Sequence, residues 1–113
     1  MNRVVITGLG IVSSIGNNAK EVLASLQAGK SGITSNADMI EYGFRSQVAG
    51  DIKLDVKDFV DKRTLRFMGP GAAYAHIAME QAIKDAGLEE NEISNFRTGL
   101  IAGSGGPSTS AML

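Results

Sequence analysis

Cysteine is missing from the 113 residues, which excludes disulfides, thiolate metal ligands and a cysteine nucleophile within this chain. Histidine occurs once, as His76, so a metal site built on a histidine pair is excluded too. An excess of charge of one sign is also lacking. Eleven Lys+Arg stand against twelve Asp+Glu, for a formal net charge of -1, which removes the global electrostatic case for binding nucleic acid. No run of about 18 apolar residues is present to span a membrane. The first residues lack the basic, apolar and cleavage-site order of a secretory signal, and a cytoplasmic location is the expectation.

What is present is ordinary for a soluble globular chain: 43% apolar and 20% charged residues. This apolar content favours a packed core over disorder. The length suits one domain at most. Glycine is the exception, at 14 of 113 residues, well above the usual ~7%. The glycines cluster at strand-like ends, which points to an α/β architecture with tight strand-to-loop turns.

Residues 3–7 are a β-branched run in which Val4, Val5 and Ile6 follow one another without polar alternation. That pattern predicts a strand buried on both faces, as in a parallel sheet covered by helices. Gly8 and Gly10 end it, and the loop to Gly16 is apolar enough to be expected inside. A helix is predicted over 19–28, with Asn18 as N-cap, Glu21 three residues on, and Gly29 as the stop. Its apolar face is Ala19, Val22, Leu23 and Leu26. Residues 30–45 read as an irregular polar excursion, 46–52 as a short strand, and 58–68 as a short helical piece. A long helix follows from Pro70, at its favoured first position, to Ala86, and stops at Gly87. Ala75, Ala78, Ala82 and Ala86 share a face on that helix that would let another backbone come close. Residues 98–102 are a second candidate buried strand, ended by Gly103-Ser104-Gly105-Gly106. The order of elements is α/β. The apolar end Ala111-Met112-Leu113, without cap or polar tail, gives the expectation that this is the front of something longer.

Four features invite a chemical reading. Gly8-x-Gly10-x-x-Ser13 after a strand has the look of a dinucleotide turn. Ser13, however, stands where a third small residue should pack, and the helix opens only near Ala19. No strand carries the acidic residue expected ~20 positions on. His76 lies mid-helix without a partner for catalysis or metal binding, and a solvated or singly hydrogen-bonded histidine is the plainer reading. Ser104 lacks the wider frame of a nucleophile elbow and reads as a turn. Lys62, Arg63 and Arg66, at helical spacing, can share one flank and offer a docking site to an acidic partner. A solvated face partly neutralised by Asp58 and Asp61 is the alternative there.

The run from Val4 to Gly16, with Val-Ile-Thr-Gly-Leu-Gly-Ile-Val-Ser-Ser-Ile-Gly in its body, resembles the N-terminal signature of β-ketoacyl-acyl-carrier-protein synthases. Residues 21–26, 29–33, 66–68, 79–83 and 99–106 continue the resemblance in order. Within the family it is nearest the bacterial type I branch of fatty-acid elongation, and the likeness is weakest over 35–44.

The resemblance implies a thiolase-like αβαβα layered fold, with residues 1–113 as the front of the first of two similar halves in a homodimer. It implies an acyltransferase that performs decarboxylative Claisen condensation in fatty-acid biosynthesis, with no membrane or nucleic-acid partner. An acyl chain passes from acyl carrier protein to an active-site cysteine. Malonyl-carrier protein then loses CO₂, and the carbanion attacks the thioester. No free cofactor is implied, since substrates ride on the carrier's phosphopantetheine. The family's cysteine and two histidines would lie beyond Leu113, so the chain holds no catalytic residue and is expected to be inactive by itself. By the same resemblance, Lys62, Arg63 and Arg66, with Arg45 as a lesser member, are expected to dock the carrier protein. Gly106 is expected at the far end of the acyl pocket. A non-catalytic thiolase-fold partner subunit is the alternative function, and a nucleotide-binding module a more remote one.

Overall fold

The computed structural model describes residues 2–106. The apolar end at 111–113 lies outside them. The chain divides into two compact units: Ile11–Asp55, and Met1–Gly10 together with the chain from Val56 onward.

The 11–55 unit begins with a tight turn. Ser13 and Gly16 exchange backbone hydrogen bonds of 2.9 and 3.3 Å, and the Ser13 hydroxyl donates to the Gly16 carbonyl at 3.1 Å. Helix α1 (Ala19–Gln27) follows and starts where the sequence places it. The Asn18 side chain accepts from the Glu21 amide at 3.0 Å, and the Glu21 carboxylate accepts from the Asn17 amide at 2.8 Å. Caps of this kind contribute about 1 kcal/mol. The buried face of α1 is Val22 and Ser25, whose hydroxyl donates to the Ile15 carbonyl at 2.6 Å. Leu23 and Leu26, expected on the inner face, are exposed at 55% and 64%. The preceding loop of Gly8 to Gly16 is half-buried apart from an exposed Leu9, broadly as its composition implies.

Residues 30–45 are more regular than expected. Strand β1 (Ile33–Ser35) and helix α2 (Ala37–Glu41) lie within them. Asn36 caps α2 by accepting from the Met39 amide at 3.0 Å. Strand β2 (Val48–Gly50), inside the expected 46–52 segment, pairs antiparallel with β1 in the register Ile33 to Gly50, Thr34 to Ala49 and Ser35 to Val48.

The second unit carries a 3₁₀ turn (Val56–Asp58), then helix α3 (Lys62–Leu65), the long α4 (Pro70–Ala86) and the short α5 (Glu90–Ile93). The helical piece expected over 58–68 is thus shorter and interrupted. Helix α4 keeps both sequence-expected ends. Pro70 opens it, and Gly87 closes it with φ of 67°, a left-handed conformation that glycine takes at no steric cost. Its buried face holds Ala73 and Ile77, 1% and 2% exposed, and Val60 is buried in the same unit at 4%.

Two expected strands are corrected. Residues 3–7 and 98–102 form no ladder, and β1 and β2 are the only paired strands among the described residues. Val4, Ile6 and Ile101 are exposed at 93%, 93% and 98%, not buried. Their composition suits strands covered on both faces, but a strand exists only where a neighbour supplies ladder hydrogen bonds, and the described residues supply none.

The close approach foreseen for the alanine face of α4 is present. A Cβ added to Gly8 would strike the Ala82 carbonyl oxygen and lie 2.8 Å from the Ala86 Cβ. One added to Gly10 would strike the Ala78 carbonyl oxygen and lie 2.8 Å from the Ala82 nitrogen. The Leu9 amide between them donates to the Asp85 carboxylate at 3.0 Å. The backbone around Gly8 and Gly10 therefore lies directly on Ala78, Ala82 and Ala86; Ala75 remains exposed.

Candidate functional site

Helix α3 has one turn, too short to persist on its own helical propensity. Asp61 holds its first turn. The carboxylate accepts from the Arg63 amide at 2.8 Å, from the Thr64 amide at 3.1 Å, and from the Thr64 hydroxyl. The Thr64 hydroxyl, then the two amides, keep the Asp61 carboxyl below its ordinary titration range, so it stays ionised at neutral pH.

Successive helical residues turn by about 100°, which puts Lys62, Arg66 and Arg63 within an arc of about 100°. Thr64 and Leu65 fall on the opposite side. Burial follows this division: the three cations are exposed, while Thr64 and Leu65 are half-buried. Arg66 continues the right-handed helical conformation as the C-cap. The sequence-expected patch is thus assembled. Asp58 and Asp61 form no direct ion pair with the patch: among the described residues, none of the three cations is ion-paired. Asp61 is engaged as the cap, a function whose signal is the Asp61-x-x-Thr64 spacing. Beside the patch, Arg63, Thr64, Phe67 and Met68 line an open groove of about 430 Å³, and Phe67 is 87% exposed.

The other expected site residues lie on other segments of the chain. Arg45 is exposed in the 11–55 unit, between α2 and β2. Gly106 is exposed, and no heavy atom lies within 4 Å of where its Cβ would be. Ser104 donates its hydroxyl to the Gly106 carbonyl at 2.8 Å, a turn contact rather than an activated nucleophile. His76 sits 3.4 Å from Glu80, one turn along α4, with its side chain 37% exposed. Gly8 and Gly10 face α4 and leave no space there for a pyrophosphate, and Ser13 is tied into its own turn.

The sequence gives no warning of a polar cavity of about 160 Å³ in the 11–55 unit, lined by residues that include Ser14, Lys30, Ser31, Thr34 and Lys53. The Glu21 carboxylate, also at its wall, is already bound to the Asn17 amide and the Asn18 side-chain nitrogen. No group of three or more His, Asp or Glu among the described residues is placed to hold a metal. No helix among them is long and apolar enough to cross a membrane.

Residues 1–113 match the family model described as the beta-ketoacyl synthase N-terminal domain. Over 105 residues the chain is 57% identical to 3-oxoacyl-[acyl-carrier-protein] synthase 1 of Haemophilus influenzae, covering 93% of this chain and 26% of that protein. Over 109 residues it is 57% identical to the Escherichia coli protein of the same name, covering 96% and 27%. Over 108 residues it is 59% identical to the one from Buchnera aphidicola, covering 94% and 26%. The chain therefore spans about a quarter of the length of these relatives.

Proposed function

This chain belongs to the β-ketoacyl synthase family, and from that premise we propose that it is the N-terminal portion of a type I β-ketoacyl-acyl-carrier-protein synthase of fatty-acid elongation. Residues 1–113 are the front of the first half of a thiolase-like αβαβα fold, in a cytoplasmic homodimer that needs neither membrane nor nucleic acid. The observation that carries the reading is the family match over the whole chain. The reaction joins an acyl group, held as a thioester on an enzyme cysteine, to the carbanion left when malonyl-carrier protein loses CO₂. With no cysteine and one histidine, these 113 residues cannot supply that chemistry. The cysteine and the charge-stabilising histidines belong to the rest of the synthase. No free cofactor enters, because both substrates arrive on the phosphopantetheine of the carrier.

What these residues contribute is recognition. Lys62, Arg63 and Arg66 present unpaired charge on one exposed flank, the surface a transient acidic carrier protein needs for fast association and modest affinity. Arg45 adds a lesser contribution. Gly106, without a side chain, leaves room for the acyl tail.

The test replaces Lys62, Arg63 and Arg66 together by alanine in the complete synthase. Each exposed pair is worth ~0.2–1 kcal/mol, so the triple change is expected to raise KM for carrier-bound substrates by roughly three-fold to a hundred-fold. KM for a small pantetheine thioester should rise far less. Added salt should act in the same direction, because surface charges are screened beyond ~8–10 Å near physiological ionic strength. Equal losses with both substrates would return the patch to an ordinary solvated face.

A further inference from the structure

We propose that Asp61 is a positioning residue for carrier docking: by capping α3 it holds Lys62, Arg63 and Arg66 on a single flank. The inference rests on the docking reading above. A four-residue helix has few internal hydrogen bonds to offset its nucleation cost, and its first amides have no partner within the helix. Asp61 satisfies the amides of Arg63 and Thr64, and its second carboxylate oxygen takes the Thr64 hydroxyl. The Asp61 carbonyl also accepts from the Leu65 amide at 3.0 Å. Both ends of the first turn are therefore fastened at this residue. Without the cap, the backbone between Asp61 and Arg66 is free to leave the helical conformation, and the three cations spread from their shared arc.

The charge of Asp61 works against docking. A carboxylate beside a cationic patch repels an acidic partner and lowers the local positive potential. Capping geometry gives it a role there despite its charge, and the two effects predict opposite outcomes when the residue is changed. Asp61→Ala removes both cap and charge. Asp61→Asn removes the charge and keeps an oxygen that caps as well as aspartate does.

The experiment compares KM for carrier-bound substrate with KM for a small pantetheine thioester in the complete synthase carrying each change. The triple Lys62, Arg63 and Arg66 to alanine variant is measured alongside. Asp61→Ala is expected to raise KM for the carrier-bound substrate about five-fold relative to the small thioester, the scale of a lost cap. Asp61→Asn should restore KM to the parent value or below it. If the alanine variant does not fold, Thr64→Val, which removes one of the three hydrogen bonds, should give a rise of about two-fold in the same direction. A fall in KM with both Asp61 variants would show that only the charge matters and would overturn the proposal. So would an equal rise for both substrates, which marks general loss of structure. A triple variant that raises KM beside an Asp61→Ala variant that does not would overturn the positioning role and leave the docking reading standing. A triple variant without effect would remove the docking reading itself.

Discussion

Replacing Gly10 by alanine tests the contact that joins the N-terminal segment to α4. The added methyl would overlap the Ala78 carbonyl oxygen and stand 2.7 Å from its carbonyl carbon and 2.8 Å from the Ala82 nitrogen. Non-bonded heavy atoms prefer about 3.5–4.0 Å, so the segment and the helix must separate by more than about an ångström. All three obstructing atoms are backbone in the middle of α4, where no side chain can swing aside. Separation also stretches the hydrogen bond from the Leu9 amide to Asp85, now 3.0 Å. Overpacking costs about 1–3 kcal/mol, and a backbone obstacle puts this case at about 3. With a urea dependence of about 2–3 kcal/mol per molar, the midpoint for this region should fall by roughly 1 M. Gly71→Ala is the control. It lies in the first turn of the same helix with nothing within 4 Å of its Cβ position. That change should raise stability by about 0.5–1 kcal/mol, by restricting the unfolded chain. Urea unfolding of the complete synthase, followed by far-ultraviolet circular dichroism, reads both. If Gly10→Ala behaves like Gly71→Ala, the segment does not rest on α4 and the account of the glycine motif is wrong.

The cap on α3 should respond to acid. The Asp61 carboxyl titrates below its ordinary range, so its stabilisation is complete above the unfolded-state value, near pH 4, and disappears as pH falls through the lower folded value. Amide exchange at Arg63 and Thr64 should accelerate, beyond the intrinsic trend, only in that acidic window. Gly106→Met in the complete synthase should shorten the longest acyl chain accepted; unchanged product length in a folded enzyme would remove Gly106 from the pocket. The 113-residue chain expressed alone should associate or melt without cooperativity, given Val4, Ile6 and Ile101 exposed at 93%, 93% and 98%. A monodisperse monomer with a sharp thermal transition in light scattering and calorimetry would contradict this.

Local signals in the sequence were readable where the structure is decided locally. Asn18 with Glu21 marks the start of α1, and Pro70 and Gly87 bound α4, because caps and backbone preference act within a few residues. The alanine face of α4 was also legible, since small residues at helical spacing mean close approach whatever the partner. The partner itself was not: that Gly8 and Gly10 fill the space depends on contact between distant parts of the chain. The same limit explains residues 3–7 and 98–102. Their β-branched and apolar content states a preference for strand, but pairing belongs to the neighbour. Leu23 and Leu26 follow the helical period yet remain exposed, because periodicity selects a face without supplying what covers it. Helix α2 was hidden by its polar surroundings, although Asn36 before it and Gly43 after it, with φ of 66°, are ordinary end signals. In the candidate site the three cations were evident from spacing. The capping role of Asp61 was missed because its charge was weighed before its hydrogen bonding.

On the proposed function, these residues serve a condensing enzyme without performing its chemistry. The most direct measurement supplies acyl-carrier protein and malonyl-carrier protein, in parallel, to the purified 113-residue chain and to the complete synthase. Ketoacyl-carrier product and released CO₂ are then quantified. Stoichiometric product and CO₂ are expected from the complete protein and neither from the 113-residue chain. Carrier-dependent ketoacyl product from the chain alone, or none from a folded complete protein, would contradict that expectation.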